Sequence, residues 1–178
     1  SYARTDKPVT VQERLIPRDS SYALDRFVYW VISEWPFGKE IRQYIVDPIL
    51  FRGSSVRWRN YEASYDVAEL EPASRQDSTY VLQEYFVPVE RFDDFVPKMR
   101  TVFRAHDVNV INVSIRHARK DPGALLAWAR NEVFAFVVYY KQKTDADGKR
   151  KVGVWTRDLT EAVLSVGGSY YLPYQPHA

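Results

Sequence analysis

The spacing of apolar positions changes several times along the chain, and each change predicts an element. Between Thr10 and Ile16, Val11, Glu13 and Leu15 alternate with Thr10, Gln12, Arg14 and Ile16, which predicts a short strand ended by Pro17. Ser20 or Ser21 can cap a helix after it. Leu24, Phe27, Val28, Val31 and Ile32 then fall at helical spacing up to Trp35-Pro36, and a second helix runs through Ile41, Tyr44 and Ile45 towards Pro48. The two join at Pro36-Phe37-Gly38. Residues 54–77 have no clear period but hold Trp58, Tyr61 and Tyr65 among polar residues. They read as a long irregular connection, of the kind that rests against a substrate or another domain.

From Thr79 the pattern sharpens. Tyr80 to Val87 predicts a strand stopped by Pro88, and Phe95, Met99, Val102 and Phe103 share one helical face. Pro97 is tolerated only in a first turn, which places the cap of that helix near Asp93 or Asp94. Val108 to Arg116 alternates as a second strand, Asp121-Pro122 opens a short helix through Trp128, and Val133 to Gln142 is a third, strongly apolar strand. Asp145-Ala146-Asp147-Gly148 is turn chemistry. A last helix places Trp155, Leu159, Ala162, Val163 and Val166 on one stripe, ends at Gly167-Gly168 and leads into an aromatic strand from Ser169 to Leu172. The expected fold is α+β: a ferredoxin-like βαββαβ antiparallel sheet with helices on one face, preceded by an N-terminal strand and helical extension. Residues 1–55 form the extension, 56–78 the connection and 79–178 the sheet domain.

Parity sorts the second strand. Asn109, Ile111, Val113 and Ile115 belong to one face, and Val108, Val110, Asn112, Ser114 and Arg116 to the other. The polar triplet is either solvated or lines a pocket, with Arg116 as a fixed cation and Asn112 and Ser114 as neutral hydrogen-bonding groups. On the first strand Glu84 is a carboxylate amid apolar residues, a costly position unless it is paired, exposed or part of a site. Tyr170, Tyr171 and Tyr174 bring three phenols into the closing segment, either as packing or to orient a substrate.

Composition narrows the classes. Aromatic residues make up 15% of the chain, too many for a disordered polypeptide. The 25 Lys plus Arg against 23 Asp plus Glu leave a net charge of +2, which creates no general field for nucleic acid or anionic lipid. Without cysteine there is no thiolate chemistry or disulfide, and His106, His117 and His177 are scattered, so no metal site is expected. No apolar run is long enough to span a bilayer. The expected location is cytoplasmic, with association to a membrane surface left open. The chain opens at Ser1-Tyr2 without methionine or signal peptide and stops after Ala178, as part of a longer polypeptide would.

One stretch points towards nucleic acid. Phe134-Ala135-Phe136-Val137-Val138-Tyr139 on the third strand matches much of the aromatic signature by which RNA-recognition domains stack bases. Glu132-Val133 stands where a basic residue and glycine belong, and the small net charge does not suit a phosphate-dominated binder. Lys141, Lys143, Lys149, Arg150 and Lys151 are interrupted by Asp145 and Asp147, as in a solvated hairpin tip. No glycine-rich phosphate loop or His-Glu-x-x-His helix occurs, so no complete catalytic centre is legible.

Four stretches carry a resemblance: Trp58-Arg59-Asn60-Tyr61-Glu62-Ala63-Ser64-Tyr65-Asp66, Gln83-Glu84-Tyr85-Phe86-Val87-Pro88, Asn112-Val113-Ser114-Ile115-Arg116 and Gly167-Gly168-Ser169-Tyr170-Tyr171-Leu172-Pro173-Tyr174. Together they resemble the cap, or substrate-binding, domain of FAD-linked oxidoreductases of the vanillyl-alcohol-oxidase type. The branch they are similar to contains alditol oxidases, decaprenylphosphoryl-ribose oxidases and sterol side-chain reductases. The resemblance covers most of the chain from about residue 56 and implies a cap sheet that covers a flavin held by another domain of the same polypeptide. It implies substrate-binding roles for Glu84, Tyr85, Asn112, Ser114, Arg116, Tyr171 and Tyr174. Ser114 stands where alditol-oxidase-like members carry glutamate, and Leu172, Pro173 or Tyr174 where some carry lysine. Tyr171 and Tyr174 are the natural replacements, and the aromatic enrichment points to an alcohol or a lipid- or sterol-like substrate. The cap alone is expected to be inactive and to hold FAD weakly or not at all. A nucleic-acid module and an autonomous ferredoxin-like ligand- or protein-binding domain are the alternatives.

Overall fold

The computed structural model describes residues 5–17, 23–64, 74–125 and 127–172, which fall in two compact units, Ser1–Glu71 and Pro72–Ala178. In the first unit, α1 (Ala23–Glu34) is followed by α2 (Gly38–Ile41), a π turn (Arg42–Val46), α3 (Asp47–Leu50) and α4 (Arg59–Ala63). Phe37 takes a left-handed conformation, φ 64°, to turn the chain between α1 and α2. The predicted strand over Thr10–Ile16 does not form. Thr10 and Val11 donate backbone N–H bonds to the Val56 carbonyl, and the alternation finds no partner strand to pair with. Residues 54–64 are more ordered than their lack of period implies: Trp58 leads into α4 beneath the Arg14 guanidinium, 4.7 Å from the ring centroid, and Arg57 pairs with Glu62 at 2.9 Å. Tyr65 lies outside the described residues.

The second unit is α+β. A four-stranded antiparallel sheet has the order β2-β3-β1-β4, from β1 (Ser78–Pro88), β2 (Val110–Ala118), β3 (Val133–Lys143) and β4 (Ser169–Tyr170). Between β1 and β2 runs α5 (Phe92–Ala105), and between β3 and β4 runs α6 (Ala146–Ser165). Tyr85 and Val87 of β1 and Phe136, Val138 and Tyr140 of β3 pack with Phe95 of α5 and with Val152, Trp155, Leu159 and Val163 of α6. Aromatic edges lock the layers: Phe95 meets Phe136 at 5.0 Å, and Trp155 meets Tyr140 at 4.8 Å, both nearly perpendicular.

Four local expectations are corrected. Pro97 sits inside α5, past its first turn, on an exposed side where the Asp93 carbonyl it leaves unbonded can be met by water. The described residues between Asp121 and Trp128 form no helix, because the Asp121 carboxylate accepts from the Gly123 and Ala124 amides and its own N–H goes to Ala129. Asp145 is an N-cap, accepting from Gly148 N at 2.7 Å, so α6 starts well before Trp155. In β2 a bulge between Val110 and Asn112 reverses the parity, so Val110 shares the helix side with Val113, opposite Tyr140 and Val138. Ile115 is opposite Phe136 on that side but 46% exposed, because β2 is an edge strand.

Candidate functional site

The face of the sheet turned away from α5 and α6 carries the other parity of each strand. Across it, Ser114 of β2 stands opposite Val137 of β3, which stands opposite Glu84 of β1. One row along lie Arg116, Ala135, Phe86 and Ser169; one row the other way lie Asn112, Tyr139 and Leu82. Four of the sequence-predicted residues, Glu84, Asn112, Ser114 and Arg116, therefore share one face. Strands lie about 4.8 Å apart, so Ser114 and Glu84 face each other across the small Val137 at about 10 Å, a span that one bound polar molecule can bridge.

The electrostatics of this face are unbalanced. Glu84 is half-buried on an interior strand and Arg116 is exposed on the edge strand, and among the described residues neither forms an ion pair. Glu132, next to the start of β3, is engaged by His117 of β2 at 2.7 Å. Asn112 Nδ2 donates to Ser114 Oγ at 3.3 Å, which orients both groups along the strand. A half-buried carboxylate without a cation is a cost to the fold, and a ligand hydroxyl or amine offsets it.

Tyr85 is not among these residues. It points into the core, 2% exposed, where its hydroxyl donates to Gln83 Oε1 at 2.5 Å. Burial, with a smaller effect from Tyr140, pushes this phenol far above the ordinary tyrosine range. The adjacent positions Glu84 and Tyr85 necessarily serve opposite faces of a strand, so the structure removes Tyr85 from the substrate side. Tyr171 joins the site from the other edge: its backbone N–H donates to the Glu84 carbonyl at 3.0 Å and its ring is 39% exposed. Tyr174 lies outside the described residues.

Beside the Arg116 row the chain forms an open recess of about 680 Å³, lined in part by Phe86, Trp128, Val133, Ser169, Tyr171 and Leu172. Sequence reasoning does not single out Trp128 or Phe86. Trp128 comes from the β2–β3 connection, folded over one end of the open face with its ring 4.6 Å from that of Phe86. The signal that could have found it is the unbroken apolar run of β3 from Val133 to Val138. A strand needs such a run only where both of its faces are covered.

The RNA-recognition signature fares differently. Phe134 and Phe136 lie on the helix side, where Phe92 contacts both rings at 5.3 and 5.7 Å, so this stretch offers no stacking platform. Among the described residues, no group of three His, Asp or Glu could hold a metal ion, and no helix is long and apolar enough to cross a membrane. No protein-family model, curated protein or solved structure matches the chain.

Proposed function

We propose that this chain is the substrate-binding, or cap, portion of an FAD-dependent oxidoreductase of the vanillyl-alcohol-oxidase type, covering a flavin held by another domain of the same polypeptide. The single observation that carries the reading is the placement of Glu84, Asn112, Ser114 and Arg116 on the sheet face opposite α5 and α6, beside a recess of small-molecule size. The ferredoxin-like arrangement is part of the proposal. It is supported by the order β2-β3-β1-β4, with one helix between β1 and β2 and another between β3 and β4.

The face opposite α5 and α6 suits one wall of a substrate site, with the polar groups of Glu84, Asn112, Ser114 and Arg116 flanking the buried Ala135 and Val137. The N-terminus of α6 is not free for the pyrophosphate of FAD, because the Asp145 carboxylate already accepts from Gly148 N there. When bound, the flavin accepts the hydride. The chain's own residues orient the donor: Arg116 and Asn112 hold the substrate's polar groups, and the Glu84 carboxylate accepts a hydrogen bond from its hydroxyl. An alcohol or a lipid- or sterol-like molecule fits a face that is polar in its centre and aromatic at its end.

The test is the spectrum of the intact polypeptide. The reading expects a bound-flavin absorption band that bleaches anaerobically when an alcohol substrate is added. A colourless intact polypeptide would overturn it.

A further inference from the structure

The Trp128 ring uses one side on Phe86 and leaves the residue 49% exposed in the lining of the recess. An indole left half open is a cost when the chain around it can move to cover it. Here it cannot: Ala129, next in sequence, is buried with Phe86, Val133 and Ala135, and its carbonyl accepts the Asp121 N–H at 2.9 Å. The loop is further tied by the Glu132 carbonyl, which accepts from Val89 N at 3.2 Å. The exposed side of the indole is thus presented by a fixed backbone.

Tyr171, Leu172 and Pro88 also line the recess, as do the exposed Arg130 and Asn131, so its lining mixes apolar and polar groups. Along β1, Phe86 is two residues from Glu84, a rise of about 7 Å. A molecule that puts a hydroxyl at Glu84 therefore brings the carbons a few bonds away against Trp128.

We propose that the Phe86–Trp128 end of the open face is an apolar subsite that takes the alkyl or alicyclic portion of the ligand, and that Trp128 sets how well that portion is held. This rests on the reading of the open face as a substrate wall, but its test needs no flavin.

The test is a titration of the 178-residue chain with 1-octanol, followed through the indole N–H signals of its five tryptophans, with glycerol as the polar control. The Trp128 signal, assigned from Trp128→Phe, shifts saturably with 1-octanol and not with glycerol, while the exposed Trp30 and Trp35 and the buried Trp155 do not move. Trp128→Ala weakens 1-octanol binding about tenfold and Trp128→Phe no more than about threefold, at unchanged melting temperature. An unmoved Trp128 signal overturns the proposal. So does a shift shared equally by Trp30 and Trp35, which is indiscriminate adhesion, or movement of the Trp128 signal on dilution without alcohol, which is coverage by a second copy. A specific shift at Trp128 together with an intact polypeptide that holds no flavin would defeat the oxidoreductase reading and leave the subsite standing.

Discussion

The backbone N–H of Tyr171 donates to the carbonyl of Glu84 at 3.0 Å, and this bond holds the last described stretch of chain along the edge of β1. It continues the short pairing of β4 with β1, Ser169 with Phe86 and Tyr170 with Tyr85. What permits so close an approach is Gly168. A Cβ there would stand 2.5 Å from the Phe86 carbonyl oxygen and 2.7 Å from Val163 Cγ2, and the backbone oxygen cannot swing away. Gly168→Ala is expected to destabilise the second unit by about 1–3 kcal/mol, read as a lowered denaturation midpoint. An unchanged midpoint would show that the turn relaxes freely.

Tyr85 gives a prediction about alkaline stability. Its folded pKa lies above the unfolded value, mainly through burial, as does that of Tyr140. Above the unfolded tyrosine pKa of about 10 the unfolded chain releases protons that the folded chain retains, so stability is whole below that pH and falls as pH rises. The melting temperature is expected to drop steeply above about pH 10, and less steeply in Tyr85→Phe. At neutral pH that variant loses only the hydroxyl's bond to Gln83, worth about 1 kcal/mol. Equal alkaline slopes in both proteins would contradict the assignment.

Much of the second unit is legible in the sequence because its periods are long and unbroken. The 11 residues of β3 and the stripe Trp155, Leu159, Val163 on α6 each bury a continuous surface. The departures have local causes. One extra residue in β2 moves Val110 onto the face of Val113, which no alternation rule anticipates. Asp145 and Asp121 present the same Asp-and-Gly chemistry, yet the first caps a helix and the second closes a turn. The downstream residues make the difference, a helical apolar stripe beyond Asp145 and Pro122-Gly123 beyond Asp121. The site divides in the same way. Parity finds Glu84, Asn112, Ser114 and Arg116, whereas grouping Tyr85 with its neighbour Glu84 fails because adjacent strand residues oppose each other. Trp128 escapes local patterning because a loop's contacts are long-range.

The Asp121 turn supplies an acid-side prediction. The Gly123 and Ala124 amides hold this carboxyl below the ordinary aspartate range. A depressed folded pKa means that the turn's stabilisation is present above about pH 4 and is lost as pH falls through the folded value. Hydrogen-exchange protection of those two amides is expected to disappear on acidification below about pH 4, and to be absent at every pH in Asp121→Ala. Protection that persists in the variant would place the turn's stability elsewhere.

Arg116 tests the central claim most directly. Its side chain stands on the face opposite α5 and α6 in the row of Ala135, Phe86 and Ser169, without an ion pair among the described residues, so its removal breaks no ion pair seen there. The decisive measurement is the anaerobic rate of flavin reduction by an alcohol substrate in the intact polypeptide, taken together with the melting temperature, for the parent and for Arg116→Ala. If the open face orients the substrate, the rate falls about tenfold or more, as expected for loss of a charged hydrogen bond, while the melting temperature holds. A rate that does not change, or one that falls only as far as the protein unfolds, would contradict the account.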